Sequence, residues 1–254
     1  MLFAAGDIVG LSFLRCVSQM SENFELGPFE FNWIEPGDFV VGPVDSDASG
    51  TVFHTGFSTG YWLSKTVVTN GQYAELSERV EISLNEVNCP VTQVSWFDAV
   101  KFCEVVSQKY ESEFKDGFSV GLPTSLQWEY ACRASGDKRF GSFDDPELLL
   151  ASGWFSENSE KRSQPVCLKD PNEWGLCDML GNVAEWCSDA PVDNYPKTAI
   201  RDWKGEVKEV GKVIRGGHFA KSIHSPDIHC SSFQYLAEDV KLKFVGFRLC
   251  IRKT

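Results

Sequence analysis

Residues 172–189, NEWGLCDMLGNVAEWCSD, decide how this chain is read, because they carry neither a sustained helical period nor a strand alternation. Gly181 permits a positive φ angle, and Trp174 and Trp186 can bury large surface without regular structure, so the stretch reads as a rigid loop. The same character extends on both sides: from 137 to 212 the chain is rich in Gly, Asp, Asn, Pro and Trp, and it is expected to be mostly loop with short strands. A compact domain carries that much irregular backbone when it serves a site or is pinned by specific contacts.

Regular structure is expected around this region. Upstream, SWFDAVKFCEVVSQKY has Ser95 and Asp98 at its head and Trp96, Val100, Cys103 and Val106 near one face, which predicts a helix. LPTSLQWEYACRA predicts a second, capped at Thr124 with Gln127 in the capping-box position, burying Leu126, Trp128 and Tyr130, with Gly136 just past its end. Thr69 with Gln72 three residues on starts a short helix. Residues 24–42 read as two short strands around Pro28, Pro36 and Gly37, GYWLSK at 60–65 as a third, and VIRGG (213–217) and VGFRLCIR (245–252) as terminal strands. The expected class is α+β: two main helices, antiparallel sheets and long irregular loops. There is no low-complexity tract and no solenoid-period repeat.

The length of 254 residues suits one large core, and a formal charge of −12 disfavours nucleic acid or an anionic membrane surface as partner. The apolar opening, residues 1–23, reads as an N-terminal extension to a domain over 24–254. Asp7 and Arg15 interrupt it, no basic region precedes it, and no stretch of ~18 uncharged apolar residues could span a bilayer. Nine cysteines, an odd count without C-x-x-C spacing, argue against structural zinc and against a disulfide framework. Reduced thiols and a cytoplasmic location are the expectation, with Cys103 and Cys132 as small core residues.

Seven strings, WIEPGDFVVG, GYWLSKTVVTNGQYAEL, VTQVSWFDAVKFC, GLPTSLQWEYACR, NEWGLCDMLGNVAEWCSD, VIRGG and VGFRLC, run in one order from about residue 33 to 252. Together they resemble the formylglycine-generating-enzyme, or sulfatase-modifying-factor, family. The resemblance implies a C-type-lectin-like fold in which two helices pack on twisted antiparallel sheets and long loops hold the site. It also implies a structural cation near GNVAEW, for which Asn182 and Glu185, with Asp178 nearby, are oxygen donors suited to calcium. The alternative for these residues is a scaffold role, with Asn182 capping a turn and Glu185 paired with Arg248 or Arg215.

The family's enzymes are oxygen-dependent oxidases that convert a substrate cysteine to an aldehyde, using copper held by two thiolates after the RGG strand. Counting from Gly217 puts Lys221 and Pro226 at those positions, and neither replaces a thiolate. The expectation is therefore a divergent or non-catalytic member that uses its C-terminal loop face to bind a protein or small ligand. His218, Phe219, Lys221, Ile223, His224, Phe233 and Tyr235 are the candidate contacts. One alternative is a metal-dependent oxidoreductase acting on a cysteine or thiol, with copper, iron or zinc at His218, His224, His229 and Cys230. Another is a retroelement-diversified lectin-like receptor-binding protein. Against the latter, the segment contains Lys221, Gln234 and Glu238 and lacks asparagine, which adenine-directed mutation of Asn codons does not readily produce.

Overall fold

In a computed structural model, residues 23–42, 53–77, 86–114, 117–192, 198–203 and 211–253 are described. Of the expected N-terminal extension, residues 1–22 lie outside them. Three helices begin where the sequence signals them: α1 (Asn70–Leu76), α2 (Trp96–Lys109) and α3 (Ser125–Arg133). Each carries a reciprocal capping box, through Thr69 and Gln72, Ser95 and Asp98, and Thr124 and Gln127. α2 turns Ala99, Phe102, Cys103 and Val106 inward while Trp96 and Val100 are half-buried, a rotation of the expected face by about one residue. α3 is buried along its whole length, polar residues included, and its Glu129 and Arg133 pair with one another inside the protein. A fourth helix, α4 (Leu149–Ser152), is a single turn.

The strands form three sheets. The largest contains β1 (Phe24–Leu26), β2 (Phe29–Ile34), β5 (Tyr61–Ser64), β6 (Phe118–Gly121) and β12 (Cys250–Lys253), in the order β1-β2-β5-β12-β6, all antiparallel. A second contains β7 (Ala184–Trp186), β9 (Lys212–Arg215), β10 (Phe233–Leu236) and β11 (Val245–Gly246), ordered β10-β9-β7-β11. The third pairs β3 (Gly37–Val41), β4 (Phe53–Phe57) and β8 (Ile200–Arg201). Residues 24–42 thus hold three strands rather than two. No strand was expected at β4 or β10: FHTGF is interrupted by glycine, and FQYL is a four-residue edge strand with little buried side chain to announce it.

The first and second sheets close on α2 around Phe31, Trp62, Phe102, Trp186, Phe247 and Leu249, all buried. A second cluster lies between α3 and the irregular region. Loop 172–189 is rigid for identifiable reasons. Gly181 has φ +88°, and a Cβ there would stand 2.6 Å from the Trp154 carbonyl oxygen. The Trp186 indole donates to the Val94 carbonyl at 3.1 Å, and the Trp96 indole to that of Cys187 at 2.9 Å. The expectation of reduced thiols throughout is corrected inside this region. Cys167 and Cys177 form a disulfide, their approach fixed by the Cys167 N–H donating to Asp178 Oδ2 at 2.8 Å. Cys89, Cys103, Cys132, Cys187, Cys230 and Cys250 are free and buried.

Candidate functional site

β9 is followed by Gly216 and Gly217, at φ +91° and +69°, and a Cβ on Gly216 would lie 2.9 Å from the Met179 carbonyl oxygen. This close turn throws residues 218–232 across the end of the second sheet before the chain returns as β10, the strand at one end of that sheet. The segment is held from beneath by ions. Arg215 sits 3.1 Å from Glu129 Oε2, donates to Ser125 Oγ, and donates to the backbone carbonyl of Cys230 at 3.1 Å. Arg133 binds the other Glu129 oxygen at 2.7 Å. The two guanidiniums and the carboxylate are all buried.

The expected contact residues divide into two groups. Phe219 and Ile223 are core residues, 4 % and 2 % exposed, so as candidate ligand contacts they are corrected: they anchor the loop rather than line its surface. The Phe219 carbonyl accepts from Ser159 Oγ at 2.9 Å. The other five reach solvent. Phe233 and Tyr235 are 37 % and 54 % exposed, two residues apart on β10 and therefore on one face of it. Phe233 rests over the Arg215 guanidinium at 5.5 Å. Lys221 Nζ pairs with Asp227 Oδ2 at 2.6 Å, and Gln234 Nε2 donates to the same oxygen at 3.4 Å. His218 stacks on Phe244 with ring centroids 4.1 Å apart. Burial, then the Lys221 charge, pushes the His218 pKa down to about 4. His224 is exposed, its Nε2 3.7 Å from Glu147 Oε1.

Between His218, Lys221, Asp227 and Phe233 lies a recess of only ≈ 20 Å³, room for about one water molecule. Such a surface suits contact with a large partner or the edge of a ligand rather than engulfment of a small substrate. Asp227 and Gln234 also border the recess and were not among the contact residues expected from sequence; the opposite charges of Lys221 and Asp227 in one loop are the signal that could have added Asp227.

The transition-metal set does not assemble. His229 is half-buried with Nδ1 2.8 Å from Ser231 Oγ, its pKa pushed down to about 4 by burial and then by Arg139 and Arg215. The Cys230 thiol is fully buried, 3.1 Å from that of Cys132. His218, His224, His229 and Cys230 thus face four different partners. Among the described residues no group of three or more His, Cys, Asp and Glu side chains is placed to hold a metal. A copper ion bound by two thiolates does not fit either, because the two counterpart positions are an ion-paired lysine and a proline.

Asn182 and Glu185 adopt the scaffold arrangement. Both Glu185 oxygens accept from Arg248, at 2.6 and 2.7 Å, and Oε2 also accepts from the Trp128 indole at 2.7 Å. The Asn182 amide closes on Gln164, accepting from its N–H and donating to its carbonyl, both at 3.1 Å. A calcium ion at Glu185 would meet a carboxylate already neutralised by a guanidinium, so this pair does not fit the ion. Asp178 differs: its Oδ1 is buried without a hydrogen-bond partner, and burial pushes its pKa up to about 6.

Comparison with known proteins gives this geometry a context. The Sulfatase-modifying factor enzyme 1-like domain matches residues 19–253. The formylglycine-generating enzyme of Mus musculus is 25% identical over 223 residues, covering 83% of this chain and 56% of the enzyme. That of Streptomyces coelicolor is 28% identical over 165 residues, covering 59% and 47%. The chain therefore spans about half the length of these enzymes. A chaperone protein LppX of Paenibacillus barcinonensis is 24% identical, covering 66% of this chain and 72% of that protein. Among solved structures, Treponema denticola variable protein 1 superposes with a TM-score of 0.80 at 22% identity, covering 91% of this chain and 98% of that one. PvdO from Pseudomonas aeruginosa gives 0.69 at 21%, covering 88% and 94%. With its motifs, its α+β architecture and a domain match over nearly its whole length, this chain belongs to the sulfatase-modifying factor enzyme 1-like family.

Proposed function

We propose that this chain is a non-catalytic member of its family that binds a protein or small ligand through the face formed by His218, Lys221, His224, Phe233 and Tyr235. The observation that carries the reading is the fate of the copper positions. Lys221 is ion-paired to Asp227, Pro226 offers no donor, and the stretch's one thiol, Cys230, is packed against Cys132 in the interior. What that leaves outward is two aromatic rings on an edge strand, a cation and two imidazoles, a composition suited to recognition. The oxidoreductase alternative would need the donors at 218, 224, 229 and 230 to regroup.

The test is a peptide and glycan array probed with the wild-type chain and with the Phe233→Ala/Tyr235→Ala double variant. The expected result is a set of ligands held by the wild type and lost by a variant of unchanged thermal midpoint. Ligands that bind both proteins equally would overturn the assignment of this face.

Among the described residues a cation is proposed at Asp178, whose Oδ1 is buried without a hydrogen-bond partner. Calcium there would satisfy that buried oxygen, and the loop should then gain thermal stability with added calcium and lose it with a chelator.

A further inference from the structure

We propose that the Cys167–Cys177 disulfide is a thiol-exchange site, at which a low-molecular-weight thiol entering the cleft beside it opens the bond by attack on Cys167. The two ends of this bond differ in access. Cys177 is fully buried and Cys167 is half-exposed, while every other described cysteine is buried. Cys167 also lines an open cleft of ≈ 510 Å³, walled by Glu30, Lys65, Gln72 and Asn88 among others. That volume has room for a thiol the size of a tripeptide, and its polar walls suit a peptide-like molecule. The cleft shares no residue with the face at 218–236, so the inference stands whether or not that face binds a ligand.

The bond can open without unfolding the chain, because the loop between the two cysteines has anchors of its own. Asn172 Nδ2 donates to the Ala131 carbonyl at 2.8 Å, the Asp170 N–H donates to that of Ala151 at 3.0 Å, and Trp174 packs edge-on against Tyr130 at 5.0 Å. At its two ends, the Val166 N–H donates to the Asn88 carbonyl and the Cys177 N–H to that of Lys65, both at 2.9 Å. Cys167 sits at φ +59°, a left-handed conformation that costs a non-glycine residue energy, and opening the bond lets it relax. In the balanced step the incoming thiolate forms an S–S bond to Cys167 Sγ as the Cys167–Cys177 bond breaks. Cys177 leaves with the electron pair and takes up the proton that the incoming thiol gave up. A second thiol then attacks the small-molecule sulfur of the mixed disulfide. It releases the small thiol as its own disulfide, and its proton goes to Cys167. The thiols of Cys103, Cys187 and Cys250, whose pKa values burial pushes up, have no such route.

The experiment uses the full, oxidised chain under native conditions with excess reduced glutathione as the probe, quenched in acid over a time course. Each sample is alkylated in denaturant, digested without further reduction and mapped by mass spectrometry, and a parallel sample is alkylated while native. The expected result is opening of the Cys167–Cys177 link at a rate proportional to glutathione concentration, while Cys103, Cys187 and Cys250 stay unlabelled by native alkylation. Cys177→Ser, which cannot re-close the bond, should carry glutathione on Cys167 after treatment with oxidised glutathione. The wild-type time course stands alone if that variant fails to fold. A link that resists glutathione, or that opens at a rate independent of its concentration as the buried thiols label in step, would overturn the proposal. So would glutathione recovered on Cys177 of the wild type rather than on Cys167.

Discussion

Glu185 concentrates the energetics of the irregular region in one carboxylate. It is buried, accepts from Arg248 through both oxygens and from the Trp128 indole, and so joins β7 to the turn before β12 and to α3. Glu185→Gln should leave Arg248 buried without its counter-charge and cost about 3–5 kcal/mol in urea unfolding, with part recovered in Glu185→Gln/Arg248→Met. His218 and His229, both pushed down to about 4, are held neutral in the fold while the unfolded chain protonates them near pH 6.5. Their stabilising contribution is therefore complete above pH 6.5 and is lost as pH falls from there toward 4. Asp178, raised to about 6, acts with the opposite sign over an overlapping window. The check is thus the difference in urea midpoint between wild type and His218→Asn/His229→Asn, which should narrow as pH falls from 6.5 to 4. At this scale the sequence named the Glu185–Arg248 pair as one of two readings, but nothing in it separated exposed Tyr235 from buried Ile223. Both are apolar residues in a stretch without period, and only the path of the loop decides which one faces inward.

The helices were legible because their starts are written in local chemistry. Thr69, Ser95 and Thr124, each with its partner three residues on, satisfy orphan N–H groups whatever the rest of the chain does. Ser95→Ala should cost about 1 kcal/mol of global stability in denaturant titration, since that cap starts a helix packed on both main sheets. Strands β4 and β10 were not legible, because each is fixed by pairing with a distant partner rather than by its own pattern: β4 with β3 and β8, and β10 with β9. β10 carries the aromatic pair proposed for recognition. Because its side chains pack against little of the core, Phe233→Ala and Tyr235→Ala should each move the thermal midpoint by no more than about 2 °C, as read by scanning calorimetry.

Across the whole molecule, the family motifs and the departure from them fall in different segments. The capped helices, the tryptophan-pinned loop and the buried ion clusters build the family architecture. Residues 218–236 lay an ion pair, a proline and an inward-turned thiol over the place where the resemblance implies two copper-binding thiolates. Among the described residues no helix is long and apolar enough to cross a membrane. The fold was readable in sequence because seven motifs run in order through it. The site was readable only as a departure, since the identity of what replaced the thiolates does not say where those side chains go. The most direct measurement is copper content and product formation after aerobic reconstitution of the purified chain with cuprous ion, assayed on a cysteine-containing peptide by mass spectrometry. The account predicts copper far below one ion per chain and unmodified peptide; one copper per chain together with conversion of the peptide cysteine to an aldehyde would contradict it.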